Sequence, residues 1–168
     1  MRVLNRDSAE SDAAVLVVES RSAHETKGWG RRLASVLEGG ELLGLVGDLG
    51  AGKTCFVKGI ARGLHLSEEE ILSPTFTMIQ EHRGRLPLYH IDLYRLESAG
   101  IDDLGMREYL FSDAVAAVEW FERLVEAPEL EHLEVRFTYS SASVRRIEFR
   151  AADERHRQVV ARLRARFA

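Results

Sequence analysis

Gly47-Asp48-Leu49-Gly50-Ala51-Gly52-Lys53-Thr54 decides how this chain is read. The stretch satisfies G-x-x-x-x-G-K-[ST] at every defined position. Glycines let a backbone curl so that several N–H groups point at one anion. A helix opening directly after them offers its free N-terminal amides and the positive end of its dipole to the same anion. In such a loop Lys53 reaches the β- and γ-phosphates of a nucleotide, and the Thr54 hydroxyl ligates magnesium. With 13 glycines and only three lysines in 168 residues, a chance match has roughly two chances in a thousand. The chain holds 20 arginines, yet a lysine occupies the phosphate position. A compact ammonium on a flexible stem suits that place better than a planar guanidinium.

The flanks fit the loop. Glu41–Val46 is apolar enough to be a strand buried on both faces. Lys53–Leu64 reads as a helix with Phe56, Val57, Ile60 and Leu64 on one face. Upstream, Val15–Glu19 is a β-branched strand, and His24–Leu37 is a helix with Ser22 as N-cap and Gly39-Gly40 as its stop. Downstream, Phe76–Glu81 and Leu86–Leu93 read as strands joined at Arg83-Gly84, and Ser98–Phe111 as mostly helical. Ala114–Val118 is an uninterrupted apolar strand ending at Glu119. Leu133–Tyr139 and Val144–Phe149 alternate as a hairpin around Ser140–Ser143, and Asp153–Phe167 closes as an arginine-rich helix. The prediction is one α/β domain over residues 14–168, preceded by a flexible leader at residues 1–13. Its fold is a P-loop nucleotidase with a mixed, mostly parallel sheet flanked by helices and a C-terminal hairpin and helix.

Composition bounds the function. One cysteine, Cys55, excludes a disulfide scaffold, and no Cys/His cluster has zinc-ligand spacing. Ala13–Val18 is far shorter than the roughly 18 apolar residues of a membrane span. The polar Met1–Ser11 carries no cleavage signal, so the expectation is a cytoplasmic protein with no membrane partner. A net charge of −4 argues against nucleic-acid binding by bulk charge alone, without excluding a local basic patch, and no DNA partner is expected. Val144–Ala168 nevertheless holds eight arginines against three acids. That run reads either as a solvated helix face or as a docking surface for an acidic partner or RNA. Cys55, directly after the loop, reads as a small packed residue in preference to a reactive thiol.

Nucleotide hydrolysis needs carboxylates beside the phosphates. Glu119 ends a buried strand, where ligands of open α/β sheets lie. His90, Asp92 and Tyr94 share one strand face, which serves either to orient water or as a satisfied polar edge. Ser73-Pro74-Thr75 lies where a switch segment senses a γ-phosphate, although Ser-Pro-Thr is also an ordinary turn. A GTPase is disfavoured: Asp102-Asp103-Leu104-Gly105 matches D-x-x-G but falls in a polar helical stretch, and no N-K-x-D occurs. Two alternatives stay open: a small-molecule kinase, and a nucleotide-gated interaction module in which occupancy orders the segment at Ser73–Thr77.

The ordered set GDLGAGKT at 47–54, SPTF at 73–76, YHIDLYRL at 89–96, GMREYLFSD at 105–113 and VEW at 118–120 resembles the TsaE (formerly YjeE) family. These are the bacterial P-loop ATPases of tRNA threonylcarbamoyladenosine formation. The resemblance implies an ATP- and Mg2+-dependent ATPase, acting with TsaB and TsaD at position 37 of tRNA and meeting the tRNA indirectly through that complex. It implies Leu49–Thr54 on the phosphates, Thr54 and Glu119 on magnesium, and Lys53, Asp92 and Glu119 as catalytic groups. It also implies Thr75 in the switch and Thr26 near the base. Two departures stand out. Phe121 follows Glu119-Trp120 where a proline or small residue is common, and the hairpin turn lacks a glycine. An arginine there is expected to approach the nucleotide, and Arg145 and Arg146 both compete for the role.

Overall fold

The phosphate loop joins a central strand to a helix in the computed structural model, which describes residues 15–72, 78–103 and 105–168. The strands are β1 (Val15–Ser20), β2 (Leu42–Val46), β3 (Ile79–Arg83), β4 (Pro87–Asp92), β5 (Val115–Glu119), β6 (Leu133–Tyr139) and β7 (Arg145–Ala151). The helices are α1 (Ala23–Ala34), α2 (Lys53–Gly63), α3 (Arg107–Leu110) and α4 (Glu154–Phe167). They form a sheet of order β1-β7-β6-β2-β5-β4-β3. The four inner strands β6, β2, β5 and β4 run parallel; β7 runs against β6 on one side and β3 against β4 on the other, and β1, paired antiparallel to β7, runs in the direction of the inner strands. This is the expected mixed α/β sheet, with the C-terminal hairpin and helix in place. β2 and β5 are buried at every residue, which is why they read as unbroken apolar runs.

The two faces are covered differently. On one, α1, α2 and α4 enclose Leu33, Phe56, Ile60, Phe137, Phe149 and Leu163. On the other, the chain after β4 and after β5 folds down over Ile91, Met106, Leu110, Val118, Phe121 and Leu124. That second cover departs from the expected helix at Ser98–Phe111, of which only α3 is helical. Local carboxylates compete with the helical pattern. Asp103 accepts from the Gly100 amide at 3.1 Å, and Glu126 from the Ile101 amide at 3.1 Å. Gly105, with φ of 60°, completes the interruption. The first helix also stops at Ala34, three residues before the expected Leu37, as the Val36 amide bonds the Leu33 carbonyl in a tightened last turn. Part of the expected strand Phe76–Glu81 and the whole of the leader at residues 1–13 lie outside the described residues. Among those described, no helix is long and apolar enough to cross a membrane.

Phe121 finds its place through Gly44. A Cβ at residue 44 would stand 2.4 Å from the Phe121 ring, so the absent side chain on β2 is the space the ring fills. The bulky residue after the Glu-Trp pair is thus absorbed into the core, against His132 at 4.7 Å between ring centroids. Gly44→Val is expected to destabilise the fold by about 1–3 kcal/mol through this overlap. Adding Phe121→Leu should recover part of the loss, with both read from denaturant unfolding.

Candidate functional site

At the carboxyl edge of the inner strands, three chain segments meet. Register sets Glu119 opposite Leu45 of β2 and opposite Asp92 of β4. The loop leaving β2 needs backbone that only glycine adopts freely: φ is 76° at Gly50 and 112° at Gly52. α1 and α4 are capped by the side chains of Ser22 and Asp153, whereas α2 begins at Gly52 with no side-chain cap. Its first-turn N–H groups are therefore free of side-chain partners and suited to an anion.

Lys53 is 4% exposed and folds back onto its own loop. Its ammonium donates to the Gly47 carbonyl and, at 2.9 Å, to the Asp48 carbonyl. Burial pushes it below the usual lysine range, while the carboxylates of Glu119, Glu122, Asp92 and Asp48 pull the other way. The Thr54 hydroxyl donates to the Glu119 carboxylate at 2.8 Å. Glu119, 3% exposed, also meets His90 Nε2 at 2.7 Å. His90 is fully buried, and its Nδ1 has no hydrogen-bond partner among the described residues. Asp92 is 9% exposed and its Oδ1 accepts from the Tyr94 amide at 2.9 Å. The face shared by His90 and Asp92 therefore splits in use: the imidazole serves Glu119 on the neighbouring strand, and the carboxylate shapes the turn after β4.

Thr54 and Glu119 offer hard oxygen donors side by side, the kind magnesium takes. Among the described residues no group of three or more His, Cys, Asp or Glu could hold a metal alone. That agrees with an ion held by one or two protein oxygens together with phosphates and water. The free amides of α2 and the captive ammonium fit a polyphosphate in the same way.

Several contributors were not legible in the sequence. Trp120 adopts a left-handed backbone, φ 58°, uncommon for a bulky residue. This turn swings its ring to 4.0 Å from the Lys53 ammonium. The Arg123 guanidinium lies 4.5 Å from the same ring and donates to the carbonyls of Leu93, Tyr94 and Leu96. The indole is thus held between two cations, and Arg123 ties the segment after β5 to the one after β4. The one signal was a tryptophan directly after the strand-ending acid.

The two arginines of the hairpin separate. Arg145 stacks 4.5 Å from the Tyr139 ring, and Tyr139 Oη lies 3.5 Å from where a Gly50 Cβ would stand. Arg146 instead pairs with Glu148 at 3.5 Å. Thr26 presents its methyl toward Gly52, while its hydroxyl bonds Ser20 at 2.7 Å and Ser22. It buttresses the loop from behind. The Cys55 thiol bonds the Ala23 carbonyl, and burial pushes it up, in keeping with a packed residue. Asp102 of the D-x-x-G match is exposed and paired with Arg107. Ser73, Pro74 and Thr75 lie outside the described residues.

Residues 20–147 match the family model described as threonylcarbamoyl adenosine biosynthesis protein TsaE. The chain is 49% identical over 112 residues to the tRNA threonylcarbamoyladenosine biosynthesis protein TsaE of Treponema pallidum, covering 66% of this chain and 82% of the relative. It is 41% identical over 133 residues to the Bacillus subtilis protein of the same name, covering 79% and 83%. The crystal structure of Bacillus subtilis YdiB superposes with a TM-score of 0.73 at 34% identity, covering 90% of this chain and 95% of that one.

A buried ammonium on backbone carbonyls costs the empty protein stability. Lys53→Met is expected to hold or raise the unfolding free energy at neutral pH, by about 1 kcal/mol, while abolishing nucleotide-induced stabilisation. The sign with pH follows from the lowered folded-state value. Above it the unfolded chain binds more protons, so the wild-type stability gains on the variant as pH rises toward 10.5. Denaturant titrations of both proteins across pH check this.

Proposed function

The chain belongs to the TsaE family of threonylcarbamoyl adenosine biosynthesis proteins, and we propose that it is the ATP-binding and ATP-hydrolysing component of that tRNA modification machinery, working with TsaB and TsaD in the cytoplasm. One observation carries the reading. The loop amides, the Lys53 ammonium and the Thr54–Glu119 pair face a single place at the carboxyl edge of the sheet.

The chemistry follows from these residues. Backbone N–H groups of Gly47–Thr54 and the dipole of α2 bind the phosphates. Lys53 exchanges the Gly47 and Asp48 carbonyls for the β- and γ-phosphate oxygens, a stronger, charge-assisted set of acceptors. Thr54 and Glu119 would hold Mg2+, which when bound neutralises charge on the phosphate oxygens. His90 fixes the Glu119 carboxylate from its buried side. Asp92, on the adjacent strand, is assigned to orient the attacking water. Arg145, one ring away from the loop, is assigned to approach the nucleotide in preference to Arg146, which Glu148 engages. Thr75 is assigned to the switch segment.

The test is hydrolysis of ATP by the purified chain, alone and with TsaB and TsaD. Free inorganic phosphate should be released slowly alone and faster with both partners. Glu119→Ala should lower turnover about a hundredfold and weaken ATP binding by about tenfold or less. Phosphate transferred to an acceptor would identify a kinase instead. Full-rate hydrolysis by Glu119→Ala would contradict the metal assignment.

A further inference from the structure

Away from the nucleotide site, the C-terminal ends of α1, α2 and α4 converge on an open groove of about 750 Å³. Lys27, Arg31 and Arg32 of α1, Arg62 of α2, and Arg166 and Phe167 of α4 line it. Nine residues of α2 separate Lys53 from Arg62, roughly 14 Å along the helix axis, so the arginine end of the groove is distinct from the phosphate loop, while its other end, at Ala23, reaches the Cys55 thiol just after the loop.

A basic residue near a helix C-terminus needs no function beyond offsetting the dipole, so the charges must be weighed. Lys27 is neutralised by Glu68 at 3.0 Å. The guanidiniums of Arg31, Arg32 and Arg62 have no hydrogen bond or ion pair among the described residues, and that of Arg166 makes only a 3.5 Å contact with the Ser35 carbonyl. Three helix ends contribute about −0.5 charge each, roughly −1.5 together, against four guanidinium charges. About +2.5 is left over, on a chain whose net charge is −4. Most arginines of the C-terminal run do not share in this. Arg155 and Arg164 donate to the carbonyls of Gly39 and Val15, Arg157 pairs with Glu154, and Arg162 with Glu38. Arg155, Arg162 and Arg164 tether α4 to the body of the domain and Arg157 is spent within the helix, so the docking surface expected there is the groove and not the helix.

The cations are also shaped for phosphate. Arg32 lies 4.7 Å from the Trp29 ring and 5.9 Å from the Phe167 ring, and Arg166 5.3 Å from Phe167. Guanidiniums laid on aromatic faces keep their N–H edges free and lose little freedom on binding. They stand around an open groove, as successive phosphates of a strand require, in place of converging on one buried point. Phe167, partly exposed at the rim, offers a face on which an unpaired base can stack, which an acidic peptide would not use.

We infer that this groove binds the sugar–phosphate backbone of an RNA. The charge balance supports a nucleic acid by itself; that the nucleic acid is RNA rests on the functional reading above.

The test is fluorescence anisotropy of a labelled RNA hairpin with the full chain, over a range of salt. Binding should weaken steeply with salt. Arg31→Glu and Arg62→Glu should each weaken it by roughly tenfold and reduce the salt slope by about one. Arg107→Glu, an exposed change on α3 on the opposite face of the sheet, should leave it within about twofold. ATP binding, measured on the same variants, should be unchanged, so loss of RNA binding is distinguishable from failure of the nucleotide site. Absence of RNA binding at low salt, equal loss in Arg107→Glu, or displacement by polyglutamate as effective as by unlabelled RNA would overturn the inference. The last outcome would assign the groove to an acidic protein.

Discussion

The hydrogen bond from the Thr54 hydroxyl to the Glu119 carboxylate links two elements 65 residues apart in sequence, the first turn of α2 and the last residue of β5. It exists because β2 and β5 are parallel neighbours that end together. A strand that must end in a glycine loop and a strand that must end in an acid are thereby held side by side, and the core beneath them is what keeps the edge level. Leu43, Leu45, Val115 and Ala117 point into the helical face, and Leu42, Val46, Ala116 and Val118 into the other. A one-residue slip between the strands would exchange these sets and carry Glu119 away from the loop.

The site is held under electrostatic tension that the surrounding residues contain. An ammonium is kept nearly out of water by two carbonyls and an indole face, and a carboxylate by a hydroxyl and an imidazole. Each group is satisfied, yet each by partners weaker than a phosphate or a divalent ion. This is the sense in which the arrangement is prepared for a ligand: its charges are placed and desolvated before one arrives. Arg123 supports this from behind by fixing the left-handed turn at Trp120 to the carbonyls after β4.

Much of this was legible in the residues. The phosphate loop, its strand and helix, and Glu119 at the end of an apolar run follow from local pattern, because glycine geometry, helix periodicity and strand burial are short-range properties. What was not legible depends on register or on long-range competition. Arg145 and Arg146 differ by one residue, and only the pairing of Tyr139 with Arg145 across the hairpin stacks one of them on the ring whose hydroxyl lies beside Gly50. His90 stands beside Asp92 in sequence, but the alignment of β4 with β5 commits it to Glu119. The segment Ser98–Phe111 has helical composition, and the carboxylates of Asp103 and Glu126 take the amides a helix would have used. No propensity announces a left-handed tryptophan.

The central claim is that Lys53, Thr54 and Glu119 form one magnesium–nucleotide site. Isothermal titration of the chain with ATP, with and without Mg2+, tests it most directly when repeated on Glu119→Gln. ATP is expected to bind several-fold more tightly with Mg2+ in the unaltered protein, and that gain is expected to vanish in Glu119→Gln. An affinity indifferent to magnesium, or a magnesium gain that survives the substitution, would contradict it.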